Sequence, residues 1–558
     1  MAKYIKTLLA ILILVTGCTK DFLDINEDPN YPTKAPLSQL LTNVEVDIAD
    51  AFSIRNGLSN FSCVYMHQVT VREDPDQYGI TGTSYYTNNP WAEIYTGPLQ
   101  DLELMIKTAD AGGDKIYLGI AKILKAYTFS ILVDVYGDIP FTEANKQTEG
   151  NPYPVYDKGS DIYTALFTLL NEAITNLGDA TATNLFVPGA DDLIYGGDVA
   201  KWIRLANTIK LKLFTQIRLT KDVSADVNAL ITAGNLIGSG ESFELPYGLS
   251  KSPDNRNPGV LEYESGQKSY YISPWFYQLL KGYNPALFEG ITDPRIPYYF
   301  YKQLKPGDNT REGTPTEYRD GGFISIYFGS VGPDRDHSTD GSMTVLGMYP
   351  VGGKYDEGDA KRVTGTSATG AAPYRFLTYA DRLYLQAELV NAGVATGDAA
   401  AARALLLSAI NESFSQVDHV VSMTQSTQTV PVLAGTAAAT TYINAVMDDY
   451  DAGTTAKKLE IIMTQKWIQS FGHNVDQWTD YRRTGYPVVF DPRNTTQAPG
   501  GKVTTPDGRY PGEDPLLIPV QRIQEIPLSL PWSQDELSIN PNSPKQKNPA
   551  TFKVFWDN

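Results

Sequence analysis

Cysteine is nearly missing from this chain: 558 residues contain two, Cys18 and Cys63. A framework of stabilising disulfides is thereby excluded. Histidine is almost as scarce, with His67, His337, His419 and His473 scattered along the sequence. No HExxH, CxxC or GxSxG pattern occurs, so zinc hydrolysis on a helical His pair and the nucleophile elbow both lose their signatures. Positive charge is in deficit as well: 46 Lys and Arg face 64 Asp and Glu, a formal net charge of -18. Gripping a phosphate backbone requires a basic stripe, so nucleic acid is excluded as a partner. After residue 15 no second apolar run is long enough to read as a membrane segment.

What is present begins with Lys3 and Lys6, followed by an uncharged apolar block over residues 7–15 and then Thr16, Gly17 and Cys18. A basic start, a short apolar centre and a small-residue end describe a secretory signal peptide. The Val-Thr-Gly-Cys ending resembles a bacterial lipobox. On that reading residues 1–17 are removed, Cys18 becomes the mature N-terminus, and its sulfur carries lipid as a thioether. Several acyl chains, palmitate among them, then anchor the chain in the outer membrane, each buried CH₂ contributing about 0.8 kcal/mol. The alternative is an ordinary signal peptide with a chance cysteine. Residues 18–36, broken by Pro29, Pro32 and Pro36, read as an extended tether. Cys63, flanked by Phe61, Val64 and Tyr65, reads as a buried and inert thiol.

With 42% hydrophobic and 20% charged residues, the remainder is ordinary globular composition, and residues 37–558 are taken as one body. Leu37, Leu40, Leu41, Val44 and Ile48 recur on one face of a helix. A second helix around Trp91 should be kinked or divided by Pro98. The strongest helix runs from Asp114, as N-cap, to Gly137. It is apolar on almost every side and therefore central. Further helices are expected at 160–177, 198–219, 376–392, 398–414, 438–449 and 455–471, in consecutive pairs joined by short turns. The pairing of small and aromatic residues, as at Ala380, Leu383, Tyr384 and Ala387, is the composition of tetratricopeptide-like stacking, although no strict period survives. Residues 241–375 lack sustained periodicity and are rich in Gly, Pro and Tyr. They read as a long loop-built elaboration on a mainly α scaffold.

The chain has little specific catalytic chemistry to offer. GSGES at 238–242 lacks the last glycine and the preceding strand of a dinucleotide loop. Paired carboxylates could serve a glycosidase, but 64 acidic residues make such pairs unspecific. Asp334, Asp336 and Asp340 resemble part of a calcium loop without its glycine or closing glutamate. No cofactor and no metal are expected. A binding surface has better support, because tyrosine is abundant at 35 residues. The irregular stretch VREDPDQYGITGTSYYTNNPW gathers Arg72, Asp76, Tyr78, Tyr85, Tyr86, Asn88 and Asn89. Flat rings beside amide and guanidinium donors suit a glycan, whose ring faces stack and whose hydroxyls accept hydrogen bonds. Equally, Tyr85 and Tyr86 could seat the loop on the scaffold. Tyr270, Tyr271 and Trp275 offer further rings, but Trp275 and Leu279 have helical spacing and read as core, whereas Tyr318 and Tyr327 lie in glycine-rich chain where binding fits better.

Five ordered segments, ILKAYTFSILVDVYGDIPFTEA, KWIRLANTIKLKLFTQIR, TDPRIPYYF, FLTYADRLYLQAELVNAG and TQKWIQSFGHNVDQWTDYRRTGYP, with NEDPN at 26–30, resemble the SusD/RagB family of outer-membrane lipoproteins. That resemblance implies a SusD-like fold: four tetratricopeptide-like helix pairs, with loop-rich insertions forming the ligand site. It implies a SusC-like TonB-dependent transporter as partner, over whose mouth the lipoprotein sits at the cell exterior. It also implies capture of oligosaccharides, or in some members peptides, without cleavage. Asp134, Tyr136, Gly137, Asp138 and Pro140, and Arg482, Arg483, Thr484, Gly485 and Tyr486, match as scaffold, expected to end helices and pair in the interior. No ligand residue carries over from the family, so Arg72, Tyr78, Tyr85, Tyr86, Asn88, Tyr318 and Tyr327 rest on local composition. A peptide ligand and a hidden glycoside hydrolase remain the alternatives.

Overall fold

The computed structural model describes residues 35–55, 57–71, 78–265, 268–284, 286–308, 317–332, 341–473, 475–489 and 524–557. Residues 1–34, Arg72, Asp76 and the 334–340 acidic loop therefore lie outside the described residues, and with them Cys18 and nearly all of the tether.

Helix α1 (Leu37–Phe52) buries Leu37, Leu40, Leu41, Val44 and Ile48, the stripe expected from spacing. After α2 (Leu58–Tyr65) come α3 (Tyr85–Thr96) and α4 (Pro98–Gly112). Pro98 does not kink a helix but opens the second one, where its missing N–H leaves nothing unsatisfied. The central α5 (Lys115–Tyr136) buries 18 of its 22 residues. It is the one helix among the described residues long and apolar enough to cross a membrane, yet 83% of its apolar window is inside the molecule. Asp114 holds the cap position without bonding its own helix. Its carboxylate instead accepts from the Phe186 amide at 2.8 Å.

The remaining helices of six or more residues among the described residues are α6 (Gly159–Leu177), α7 (Val199–Ile217), α8 (Ser224–Ala233), α9 (Pro274–Leu280), α10 (Tyr379–Asn391), α11 (Ala399–Met423), α12 (Ala437–Ala452), α13 (Thr455–Gln469), α14 (Asp476–Thr484) and α15 (Gln534–Ile539). They pack chiefly as sequence neighbours, α5 on α6, α6 on α7, α10 on α11 and α12 on α13. The starts are fixed by side chains: Asp198, Asp398, Thr436 and Thr454 cap their helices, and Thr378 with Asp381 forms a reciprocal capping box. Helix α11 outruns the expected 414 because Gln416, Val417 and Val420 continue its buried face.

Gly119 sets the α5–α6 crossing. A Cβ there would stand 2.6 Å from Leu177 Cγ and 3.0 Å from the Ala173 carbonyl, so only hydrogen fits.

Between α8 and α10 regular structure is sparse. Four two-stranded antiparallel sheets pair β1 (Val69–Thr70) with β3 (Tyr271–Ile272), β2 (Phe243–Leu245) with β8 (Tyr374–Leu377), β4 (Phe300–Tyr301) with β7 (Val345–Leu346), and β5 (Tyr318–Asp320) with β6 (Phe323–Ser325). One continuous core joins this region to the helices, with a small satellite of Tyr271, Leu304, Ile324, Ile326 and Met343 beside it.

Charged groups are threaded through the core. Asp134, fully buried near the end of α5, accepts from Tyr163 Oη and from Trp556 Nε1 at 2.9 Å, and pairs with Lys212 at 3.5 Å. Arg482 donates to the Asp134 carbonyl at 2.6 Å. Arg483 pairs with Glu388 and with Asp480, the latter at 2.7 Å, and Arg218 reaches the same Glu388 at 2.8 Å. Arg482 and Arg483 thus lie within the last turn of α14, and Gly485 ends it at φ 78°. Both motifs act as expected, in helix termination and interior pairing.

Candidate functional site

Tyr85, Tyr86, Asn88 and Asn89 do not lie in irregular chain, as their composition suggested, but in the first turn and a half of α3. Pro90, the sixth residue, lies inside that helix and costs it one internal N–H bond, while Ser84 caps its start by accepting from the Tyr86 amide. The consequence is a rigid presentation. Tyr85 is 57% exposed, Tyr86 is half-buried, and their rings meet edge to face at 5.8 Å and 82°. Asn88 accepts from Ser533 Oγ at 2.7 Å, and the Gly82 carbonyl accepts from the Gln534 amide at 2.9 Å. These contacts bring α15 against the start of α3, a neighbourhood that no local pattern indicated.

The other candidate tyrosines turn inward. Tyr78 is 2% exposed; its hydroxyl meets His67 Nε2 at 2.9 Å, and its ring lies 5.4 Å from Phe328, which stacks on His67. Tyr318 and Tyr327 are buried and meet at 5.7 Å and 90° under the β5–β6 hairpin. Gln278 donates to Tyr318 at 3.0 Å, and Tyr277, stacked on Phe323 at 3.7 Å, donates to Asp320. With no ring face on the surface, these three form the aromatic underlay of the irregular region rather than a stacking platform. Leu279 is buried and Trp275 half-buried on α9, in line with a core reading.

Among the described residues no group of three or more His, Cys, Asp or Glu could hold a metal ion. The described histidines are committed to scaffold contacts: His67 with Tyr78, His419 with Glu244, and His473 with the Arg375 carbonyl. Burial holds His473 well below its usual pKa, and Glu244 raises that of His419. Cys63 is buried, and burial pushes its thiol up to about 12, which makes it inert. On the helix-pair side a cleft of about 760 Å³ opens between α6, α7 and α8. Its aromatic floor is already engaged, since Phe167 and Phe214 stack on each other at 4.4 Å.

Packed helical hairpins carrying an aromatic-rich irregular region, with exposed tyrosines beside amides, define a mainly α binding protein. A family model for SusD-like proteins, described as starch-binding and associating with the outer membrane, matches residues 29–511. The chain belongs to this SusD/RagB family of nutrient-binding proteins. Among solved structures, a chitin-binding protein is similar at 20% identity, with 94% of this chain and 100% of that one covered and a TM-score of 0.66. A SusD homologue from Bacteroides fragilis NCTC 9343 is similar at 19% identity over 94% and 99% of the chains, TM-score 0.66. A SusD/RagB family protein from Bacteroides thetaiotaomicron VPI-5482 follows at 18% identity over 94% and 99%, TM-score 0.66. No curated protein matches the sequence.

Proposed function

We propose that this protein is a cell-surface lipoprotein that captures oligosaccharides and passes them, uncleaved, to a SusC-like TonB-dependent transporter of the outer membrane. The family match over residues 29–511, with its starch-binding description, carries the reading. The chitin-binding name of one structural neighbour supports the same ligand class. Removal of residues 1–17 leaves Cys18 to be acylated, residues 18–36 serve as leash, and residues 37–558 form the capturing body. Tyr85 and Tyr86, rigidly held at a helix start beside Asn88, supply what sugar rings require: an aromatic face and a neighbouring amide.

The test is calorimetric titration of the purified protein with maltohexaose and chitohexaose. Tyr85→Ala or Tyr86→Ala should weaken binding by roughly 1–3 kcal/mol, the loss expected of an anchoring aromatic. Unchanged affinity in both variants removes this edge from the site. Release of shorter sugars in excess of the protein would instead establish a glycosidase.

A further inference from the structure

We propose that the capture surface runs from Tyr85 along α15 to Tyr153 and takes a neutral oligosaccharide longer than a disaccharide. The inference rests on the glycan reading above and deepens it.

Two tyrosines stand among the large apolar side chains left exposed in the described residues, Tyr85 at 57% and Tyr153 at 43%. Far apart in sequence, they are fastened to opposite ends of one short helix. At the start of α15, Ser533 and Gln534 bond Asn88 and Gly82 beside Tyr85. At its end, Asn540 Nδ2 donates to the Pro154 carbonyl at 2.8 Å and Asn542 Nδ2 to the Tyr153 carbonyl at 2.7 Å. Six helical residues span about 9 Å, which is too far for one hexose ring to cover both platforms. Ile539 at 70% and Val155 at 40% exposure keep the same edge apolar, while Gln534 and Ser538, hydrogen-bonded to each other, add polar groups on the helix.

The two platforms share one floor. Tyr156, three residues beyond Tyr153, lies face to face with Trp91 of α3 at 6.4 Å and 17°, and edge-on to Trp532 at 5.6 Å. A ligand spanning both rings therefore orders little protein on binding.

Charge selects further. Asp535 and Glu536 occupy the first turn of α15, and Glu143 accepts from Asn151 and the Val155 amide. Of the lysines on the neighbouring chain, Lys547 is turned onto the Trp532 and Phe552 rings at 4.5 Å each and donates to the Tyr136 carbonyl, and Lys158 pairs with Asp138 at 2.9 Å. Uronic or sulfated sugars would meet the Asp535, Glu536 and Glu143 carboxylates, so the edge suits neutral chains.

Titration of the full protein with maltose and maltohexaose, chitobiose and chitohexaose, and hexagalacturonate tests this. In one neutral series the hexamer should bind about tenfold more tightly than the dimer, and hexagalacturonate should bind more weakly than that hexamer. Tyr153→Ala should remove most of the length gain while leaving dimer affinity within about twofold, and Tyr153→Phe should keep it, since the ring remains. Wild-type hexamer affinity in Tyr153→Ala, equal affinity for dimer and hexamer, or preference for hexagalacturonate overturns the extended neutral site. If Tyr85→Ala still weakens binding in those cases, capture at Tyr85 stands without the extension. Failure of both neutral series and of hexagalacturonate to bind the wild-type protein removes the glycan reading and this inference together.

Discussion

Arg483 and Glu388 show what single side chains contribute here. Burial alone would raise the Glu388 carboxyl, but Arg483 and Arg218 hold it down to about 2 against its usual 4.5. A carboxyl whose pKa is lower in the folded state adds stability that is fully present above the unfolded value and disappears as pH falls through the folded one. Wild-type protein should therefore lose stability between about pH 4.5 and 2 through this group. Replacing it by Glu388→Gln leaves two guanidinium groups short of a partner and should cost about 3–5 kcal/mol at neutral pH in urea unfolding. The same variant should show a shallower acid slope. Interior pairing of Arg482 and Arg483 was legible only through the resemblance of their segment to the family. The tyrosines were not. Tyr78 and Tyr318 owe their burial to His67 and Gln278, partners no neighbouring residue announces, so ring composition alone could not separate them from exposed Tyr85. Tyr153 stands between Pro152 and Pro154, and nothing in that stretch marks its ring as exposed.

Helices were legible where their burial is one-sided or complete. The stripe on α1 and the all-round apolarity of α5 state their depth directly. The start of α3 was misread as irregular because Thr, Asn and Pro dominate it, and a capping serine with tertiary packing outweighs those weak preferences. Strands between α8 and α10 were illegible for another reason: Phe243 pairs with Leu377 and Phe300 with Leu346, and strands of two to four residues are too short to show a period. Among helices, Gly119 tests whether packing outweighs propensity. Alanine is intrinsically the better helix former by about 1 kcal/mol, yet Gly119→Ala should lower stability by about 1–3 kcal/mol, because Leu177 and the Ala173 carbonyl occupy the space. Thermal unfolding of the variant checks it; a raised Tm would show that α6 slides aside.

For the molecule as a whole, the anchor and the body make separable predictions. Expressed in a Gram-negative host, wild-type protein should incorporate labelled palmitate and partition into the detergent phase, whereas Cys18→Ser should do neither and still bind the same sugar. Palmitate incorporation into Cys18→Ser would move the lipid elsewhere. The bond between Asp134 and Trp556 joins positions 422 apart. During synthesis, the carboxylate at the end of α5 exists long before its indole partner does, and closing so large a loop is slow. The centre of the molecule is thus left chemically unfinished until Trp556 has been made, and its polar network cannot close before then.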